Sequence, residues 1–161
     1  MKVKDSVIIG GGGHTRVLIG MAQAAGLPVR GIVTNNASIV GTSIWGVPVL
    51  ALEAQFAFNA GEITLLNGVG NLANSTGSGL ATRAAIYARH RANGMEFLPL
   101  VAKEAMVQPH VTLGVGAQIM AGAVVQAGAM IGENTIINTR ASIDHDCRIE
   151  AHCHIAPAAV L

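Results

Sequence analysis

The stretch NTRASIDHDCRIEAHCHIAP, residues 138–157, holds His145, Cys147, His152, Cys153 and His154 in a chain that is only 12% charged. Three chemistries use such side chains. Imidazoles and thiolates ligate zinc, exposed thiols in an electropositive setting cycle through disulfides, and a histidine titrating near neutral pH takes a proton from a nucleophile. Which of them applies depends on where each side chain points, and that is set by the elements that carry them.

Counting in sixes from Val107 gives Val107, Leu113, Ile119, Val125, Ile131, Ile137, Ile143, Ile149, Ile155 and Leu161, every one of them Val, Ile or Leu. Those types make up 43 of the 161 residues, so ten hits in one register would arise by chance on the order of once in a million. Four residues after each aliphatic position comes a small one: Val111, Ala117, Ala123, Ala129, Thr135, Ala141, Cys147, Cys153 and Ala159. Neither a helix, at 3.6, nor a strand, at 2, has this period. Six residues with two inward side chains describe one flat wall and one corner, and three walls close an 18-residue coil of a triangular parallel β-helix. In this register Cys147 and Cys153 fill the small inward slot as buried free thiols behaving as small hydrophobes. His145, two residues after inward Ile143, projects from a corner, and His154, just before inward Ile155, also points outward.

The remaining composition agrees with a stacked core. Aromatics are 3% and Gly is 20 of 161, so small and β-branched side chains replace large aromatic anchors. A net charge of +1 without Lys/Arg clusters excludes nucleic acid or an anionic membrane surface as the main partner. No apolar run reaches the 18 residues of a membrane span and the first residues lead straight into a strand, so the expected location is cytoplasmic. Two cysteines are too few for a disulfide framework.

The first hundred residues read as an α/β unit. Val3 to Ile9 forms a strand, Gly10-Gly11-Gly12-Gly13-His14 a turn, and Thr15 to Ala25 an amphipathic helix, the arrangement in which backbone N–H groups receive phosphate. Such a loop can equally serve only to bring a helix close to a sheet. Strands near 29–34 and 63–67 and helices near 51–59 and 79–92 complete a short βαβ series, with Pro28, Pro48 and Pro99 at connections. The expected organisation is a Rossmann-like α/β domain over residues 1–98 and a β-helix over 99–161.

Together VIIGGGGHTRVLI, the strand ending in Gly70-Asn71 and INTRASIDHDCRIEAHCHIAP resemble the hexapeptide-repeat nucleotide-sugar acetyltransferases of the NeuD/PglD type, over essentially the whole chain. The resemblance implies a left-handed β-helix, acetyl-CoA as co-substrate, no metal, and a homotrimer with the active site between subunits. It assigns His145 as general base, Asp146 as its acidic support and His154 as the contact to the acyl donor. It assigns Asn138, Gly10, Gly12, Gly13, His14, Gly70 and Asn71 to the nucleotide-sugar substrate. The implied reaction is N-acetylation of a UDP-linked 4-amino-4,6-dideoxy sugar for a surface glycan, with O-acetylation of a sialic-acid-like sugar as the alternative.

Relatives often carry acidic residues after the second strand, where this chain reads Thr34-Asn35-Asn36, and the change from carboxylate to amide alters which nucleotide base is accepted. The segment LANSTGSGL after Asn71 is longer and richer in Ser and Gly than usual. Leu161 is an inward position with no cap after it, which predicts a solenoid cut short and donor binding as the first function to weaken. Two other readings share the fold. A γ-carbonic-anhydrase-like zinc site would draw on His110, His145, His152 and His154, although His110 and His145 occupy different register positions and position 150 is Glu. A non-catalytic trimeric scaffold would leave the α/β half as a nucleotide sensor.

Overall fold

The computed structural model describes residues 4–70 and 78–161. The chain divides into two compact units, Met1–Phe97 and Leu98–Leu161. In the first, β1 (Asp5–Ile9) leads through the glycine turn into α1 (Gly13–Ala24), followed by β2 (Val29–Thr34), a hairpin of β3 (Ser43–Ile44) and β4 (Val47–Leu52), β5 (Ile63–Asn67) and α2 (Ser78–Ala92). The strands form one sheet in the order β3-β4-β2-β1-β5. The β1, β2, β4 and β5 pairings are parallel and only β3 runs antiparallel, against β4. Residues 7–9 and 63–67 are buried without alternation, as expected of strands covered on both faces, which is why they read as continuous apolar runs. Val7, Ile9, Val33, Ile63 and Leu65 pack with Ile86 and Tyr87 of α2.

The expected helix over 51–59 is absent. β4 runs to Leu52, a single 3-10 turn covers Glu53–Gln55, and an irregular segment crosses back to β5. Phe56 and Phe58 decide this. They are two apart, both half-buried, and pack edge to face with ring centroids 4.9 Å apart; a helix would have placed them on different sides. Pro48 lies within β4, opposite Ser43, rather than in a connection. It precedes the first residue of β4 that pairs with β2, Val49, so no ladder bond to β2 needs its missing N–H. The β3–β4 loop is Trp45-Gly46 with φ of 49° and 82°, the positive pair that two-residue hairpins demand.

The second unit contains strands of two residues each: β6 (Leu100–Val101), β7 (Met106–Val107), β8 (Thr112–Leu113), β9 (Gln118–Ile119), β10 (Val124–Val125), β11 (Met130–Ile131), β12 (Ile136–Ile137), β13 (Ser142–Ile143), β14 (Arg148–Ile149) and β15 (His154–Ile155). They stack as three parallel sheets, β13-β10-β7, β14-β11-β8 and β15-β12-β9-β6. Each strand pairs with the one 18 residues away, Ile137 with Ile119 and with Ile155 for example. This is the pattern of a left-handed parallel β-helix. Its interior is the sixfold register: Ile119, Val125, Ile131, Ile137 and Ile143 with Ala117, Ala123, Ala129 and Ala141.

The corners carry a second sixfold register. His110, Gly116, Gly122, Gly128, Asn134, Arg140, Asp146, His152 and Ala158 all have φ between 54° and 77°. Each lies one residue before a small inward position, where the chain must bend left-handed to enter the next wall. Cys147 and Cys153 hold the expected slots but are half-buried rather than buried, because the last coil has a neighbour on one side only. Among the described residues no helix is long and apolar enough to cross a membrane.

Candidate functional site

In the first unit the glycine turn is held by one hydroxyl. Thr15, in the first turn of α1 and wholly buried, accepts the Gly11 N–H at 2.8 Å and donates to the Gly68 carbonyl at 3.2 Å. A side chain at Gly10, where φ is 152°, would meet the Thr15 hydroxyl at 2.5 Å and the Gly68 carbonyl oxygen at 2.8 Å. The turn and the end of β5 can lie this close only as bare backbone. Gly12 and Gly13 differ: a Cβ at either meets nothing within 4 Å. They open α1 onto free space, with no capping side chain and no acidic residue in its first turn, so the positive end of its dipole faces outward. His14 packs on Gly70, where a Cβ would lie 3.0 Å from that of His14. The structure thus brings together Gly10, Gly12, Gly13, His14 and Gly70, while Asn71 lies outside the described residues.

Two buried groups of this unit are not evident from the sequence. Arg83 of α2 is fully buried and donates to the Asn67 and Val69 carbonyls at 2.7 and 2.9 Å. The Asn67 amide donates in turn to the Arg83 carbonyl at 3.0 Å. Burial pushes the guanidinium down to about 9. The segment leading to Gly70 is thereby fixed to α2. The second group is Glu53, whose carboxylate accepts from the His90 Nε2 at 2.7 Å and from Arg89. Burial raises its proton affinity, and the hydrogen bonds from His90 and Arg89, with their charges, outweigh that and hold it below the usual carboxylate range. Glu53, Arg89 and His90 line a cavity of about 550 Å³ with Phe56, Phe58 and Asn35. Arg83 and His90 share the stripe of α2 that carries Ile86 and Tyr87, and polar residues on an apolar stripe were the available signal.

In the second unit, His145 stands on the corner after β13, with its side chain 72% exposed. Its backbone N–H donates to Asp144 Oδ1 at 2.8 Å, and its Nδ1 lies 2.9 Å from Asp146 Oδ2. The hydrogen bond to Asp146, then the charges of Asp144 and Asp146, raise the imidazole above its ordinary pKa. With the Nδ1 proton donated to a carboxylate, the Nε2 lone pair is the basic position and it faces outward.

Asn138 and His154 are also brought together, with Nδ2 and Nε2 2.8 Å apart. Asn138 Oδ1 accepts the Thr139 N–H at 2.7 Å, which turns the amide NH₂ toward His154. His154 Nε2 therefore accepts, and its proton sits on Nδ1. At the corner two positions earlier, His152 Nδ1 lies 2.9 Å from the Asn134 amide in the preceding coil. His110 is exposed, and Cys153 Sγ lies 3.7 Å from the Ala151 carbonyl. Among the described residues, no three of His, Cys, Asp or Glu converge as a metal site.

No protein-family model matches the sequence, and no curated protein sequence matches it. Solved structures do match. The acetyltransferase domain of PglB from Neisseria gonorrhoeae FA1090 is 31% identical with a TM-score of 0.84, over 98% of this chain and 73% of that one. The same domain in complex with acetyl coenzyme A gives 0.85. A variant of perosamine N-acetyltransferase from Caulobacter crescentus, in complex with CoA and GDP-perosamine, is 32% identical with a TM-score of 0.82, over 99% of this chain and 71% of that one. WeeI from Acinetobacter baumannii AYE, 18% identical with a TM-score of 0.77, shares the fold over 98% of this chain and 71% of its own.

Proposed function

The chain belongs to the hexapeptide-repeat sugar acetyltransferases of the NeuD/PglD type, and from that premise we propose that it transfers the acetyl group of acetyl-CoA to the amine of a nucleotide-linked amino sugar, with His145 as general base. The observation that carries the reading is the His145–Asp146 pair: Nδ1 tied to a carboxylate at 2.9 Å, Nε2 turned outward on an exposed corner. A protonated amine does not attack a thioester. His145 Nε2 takes the proton as the C–N bond forms and returns it to the coenzyme A sulfur as the C–S bond breaks, so the base is regenerated in each turnover. Asp146 keeps the proton on Nδ1 and stabilises the imidazolium formed between the two steps.

The other residues divide by what they offer. In the first unit Gly10, Gly12 and Gly13 present the N-terminus of α1 to a diphosphate, with His14 packed on Gly70 beside them; Asn138 of the second unit, and Asn71, which lies outside the described residues, are assigned to the same substrate by the family likeness alone. His154, fixed by Asn138, offers its Nδ1–H to the acyl donor. The acceptor is the 4-amine of a 4-amino-4,6-dideoxy sugar. The protein works in the cytoplasm as a homotrimer, in which a second subunit covers the corner that leaves His145 exposed in one chain. Support for an amine acceptor is the 32% identity with a perosamine N-acetyltransferase.

The test is acetyl-CoA-dependent thiol release against UDP-, dTDP- and GDP-linked amino sugars. Turnover with one amino sugar is expected, falling by about 10²- to 10⁴-fold in His145→Ala. Acetylation of a hydroxyl sugar alone, or unchanged turnover in His145→Ala, overturns the reading.

A further inference from the structure

The corner that carries His145 rests on a residue with no side chain. The left-handed corner positions recur every six residues, and three walls make a coil, so corner residues 18 apart stack in one column: His110, Gly128 and Asp146. Within that column the Asp146 N–H donates to the Ala127 carbonyl at 3.2 Å. Its carboxylate lies across the neighbouring Gly128. A Cβ on Gly128 would be 2.3 Å from Asp146 Oδ1 and 3.4 Å from Cγ, while Oδ2 is the oxygen that holds His145 Nδ1 at 2.9 Å.

We propose that Gly128 is a positioning residue for the general base: its bare backbone is the seat on which the Asp146 carboxylate turns its second oxygen to His145. This rests on the assignment of His145 as base. Any side chain at 128 occupies the volume of Oδ1 and moves the carboxylate, because the backbone on both sides is fixed by the coil. The charged groups facing the imidazole are Asp144 and Asp146 on its own corner; the adjoining coil contributes Gln126, Ala127 and Gly128, none of them charged, with His110 a further coil away in the same column.

Gly122 provides the comparison. It occupies the same left-handed corner position, with φ of 71° against 77° for Gly128. A Cβ there would meet the Arg140 Cγ at 3.3 Å, part of a flexible chain that can yield, and the Arg140 backbone N at 4.0 Å, an ordinary contact. Ala at either position carries the same backbone strain, but only Gly128→Ala disturbs the carboxylate beside His145.

The experiment follows the His145 Cε1–H resonance through a pH titration of the full chain, which reads the imidazole directly and needs no acceptor. Wild type and Gly122→Ala are expected to titrate alike, above 6.5. Gly128→Ala and Asp146→Asn are expected to shift together toward 6.5. In turnover, Gly128→Ala loses kcat and leaves the KM for acetyl-CoA unchanged. Gly128→Asn, which tolerates the left-handed conformation and still carries a Cβ, gives the same shift with less strain should the alanine variant fold poorly.

A wild-type titration in Gly128→Ala or Gly128→Asn alongside a shifted Asp146→Asn overturns the role of Gly128. Equal shifts in Gly122→Ala overturn it too, by assigning the effect to strain. If the titrations behave as expected and no acceptor is turned over, the assignment of His145 as base fails while the seat stands.

Discussion

Replacing Thr15 by Val tests whether one hydroxyl holds the glycine turn against β5. Val keeps the shape and removes the oxygen that accepts from Gly11 N and donates to the Gly68 carbonyl. Thr15 and Gly68 are buried and Gly11 is half-buried, so water replaces the lost partner only at Gly11. An orphaned buried group costs about 1–3 kcal/mol and a hydratable one less, giving roughly 2–3 kcal/mol for the pair. Urea unfolding followed by circular dichroism at 222 nm reads this cleanly, because α1 and α2 both belong to the first unit. With a slope of about 1.5 kcal/mol/M, the midpoint falls by about 1.3–2 M with the slope unchanged. Thr15→Ser keeps both bonds and loses one methyl, about 1 kcal/mol, so its midpoint moves by half as much or less. The KM for the nucleotide sugar rises in Val and not in Ser. Equal midpoints for Val and Ser refute the reasoning, since the hydroxyl is then not what joins the two segments.

In Asp146→Asn, His145 loses the partner that raises it, so the pH of half-maximal kcat/KM moves down toward 6.5 while kcat falls; an upward move contradicts the arrangement. Ile137→Ala, wholly buried between Ile119 and Ile155, costs about 2–5 kcal/mol by calorimetry, and a cost under 1 kcal/mol means that the coil collapses to fill the gap. Glu53 is held below its usual value of 4.5; a depressed carboxylate stabilises above the unfolded value and loses that contribution as pH falls through the folded one. Wild type is therefore expected to lose urea resistance below about pH 4.5, and Glu53→Gln to be weaker at neutral pH and flatter across that range.

What could be read in advance was whatever repeats or adjoins along the chain. A coil of fixed length forces one aliphatic and one small residue onto each wall, so the β-helix interior appears as a period of six, and Ile137 could be called inward from its number alone. Strands 29–34 and 63–67 were equally legible, as apolar runs bounded by turn residues. His145 and Asp146 are neighbours in sequence, so their hydrogen bond follows from a corner that turns both outward. The segment 51–59 misled because its composition suits a helix and only packing reveals that Phe56 and Phe58 point the same way. The left-handed corner register was hidden because Arg140 and Ala158 are not residues that favour that conformation; stacking between coils imposes it on them.

Everything else depended on partners far apart in the chain. Thr15 meets Gly68, Arg83 meets Asn67 and Val69, Glu53 meets His90, and Asn138 meets His154, across separations of 53, 16, 14, 37 and 16 residues. A hydroxyl or an amide is specified by the donor or acceptor opposite it, and that partner exists only after the chain has folded. The sequence by itself determined the period, the walls and the corner that carries His145, because those follow from local geometry repeated. Only the tertiary structure decided that the Asp146 carboxylate lies across Gly128 and turns its other oxygen to His145, since the period fixes which residues stack and not the direction that a side chain takes at a corner.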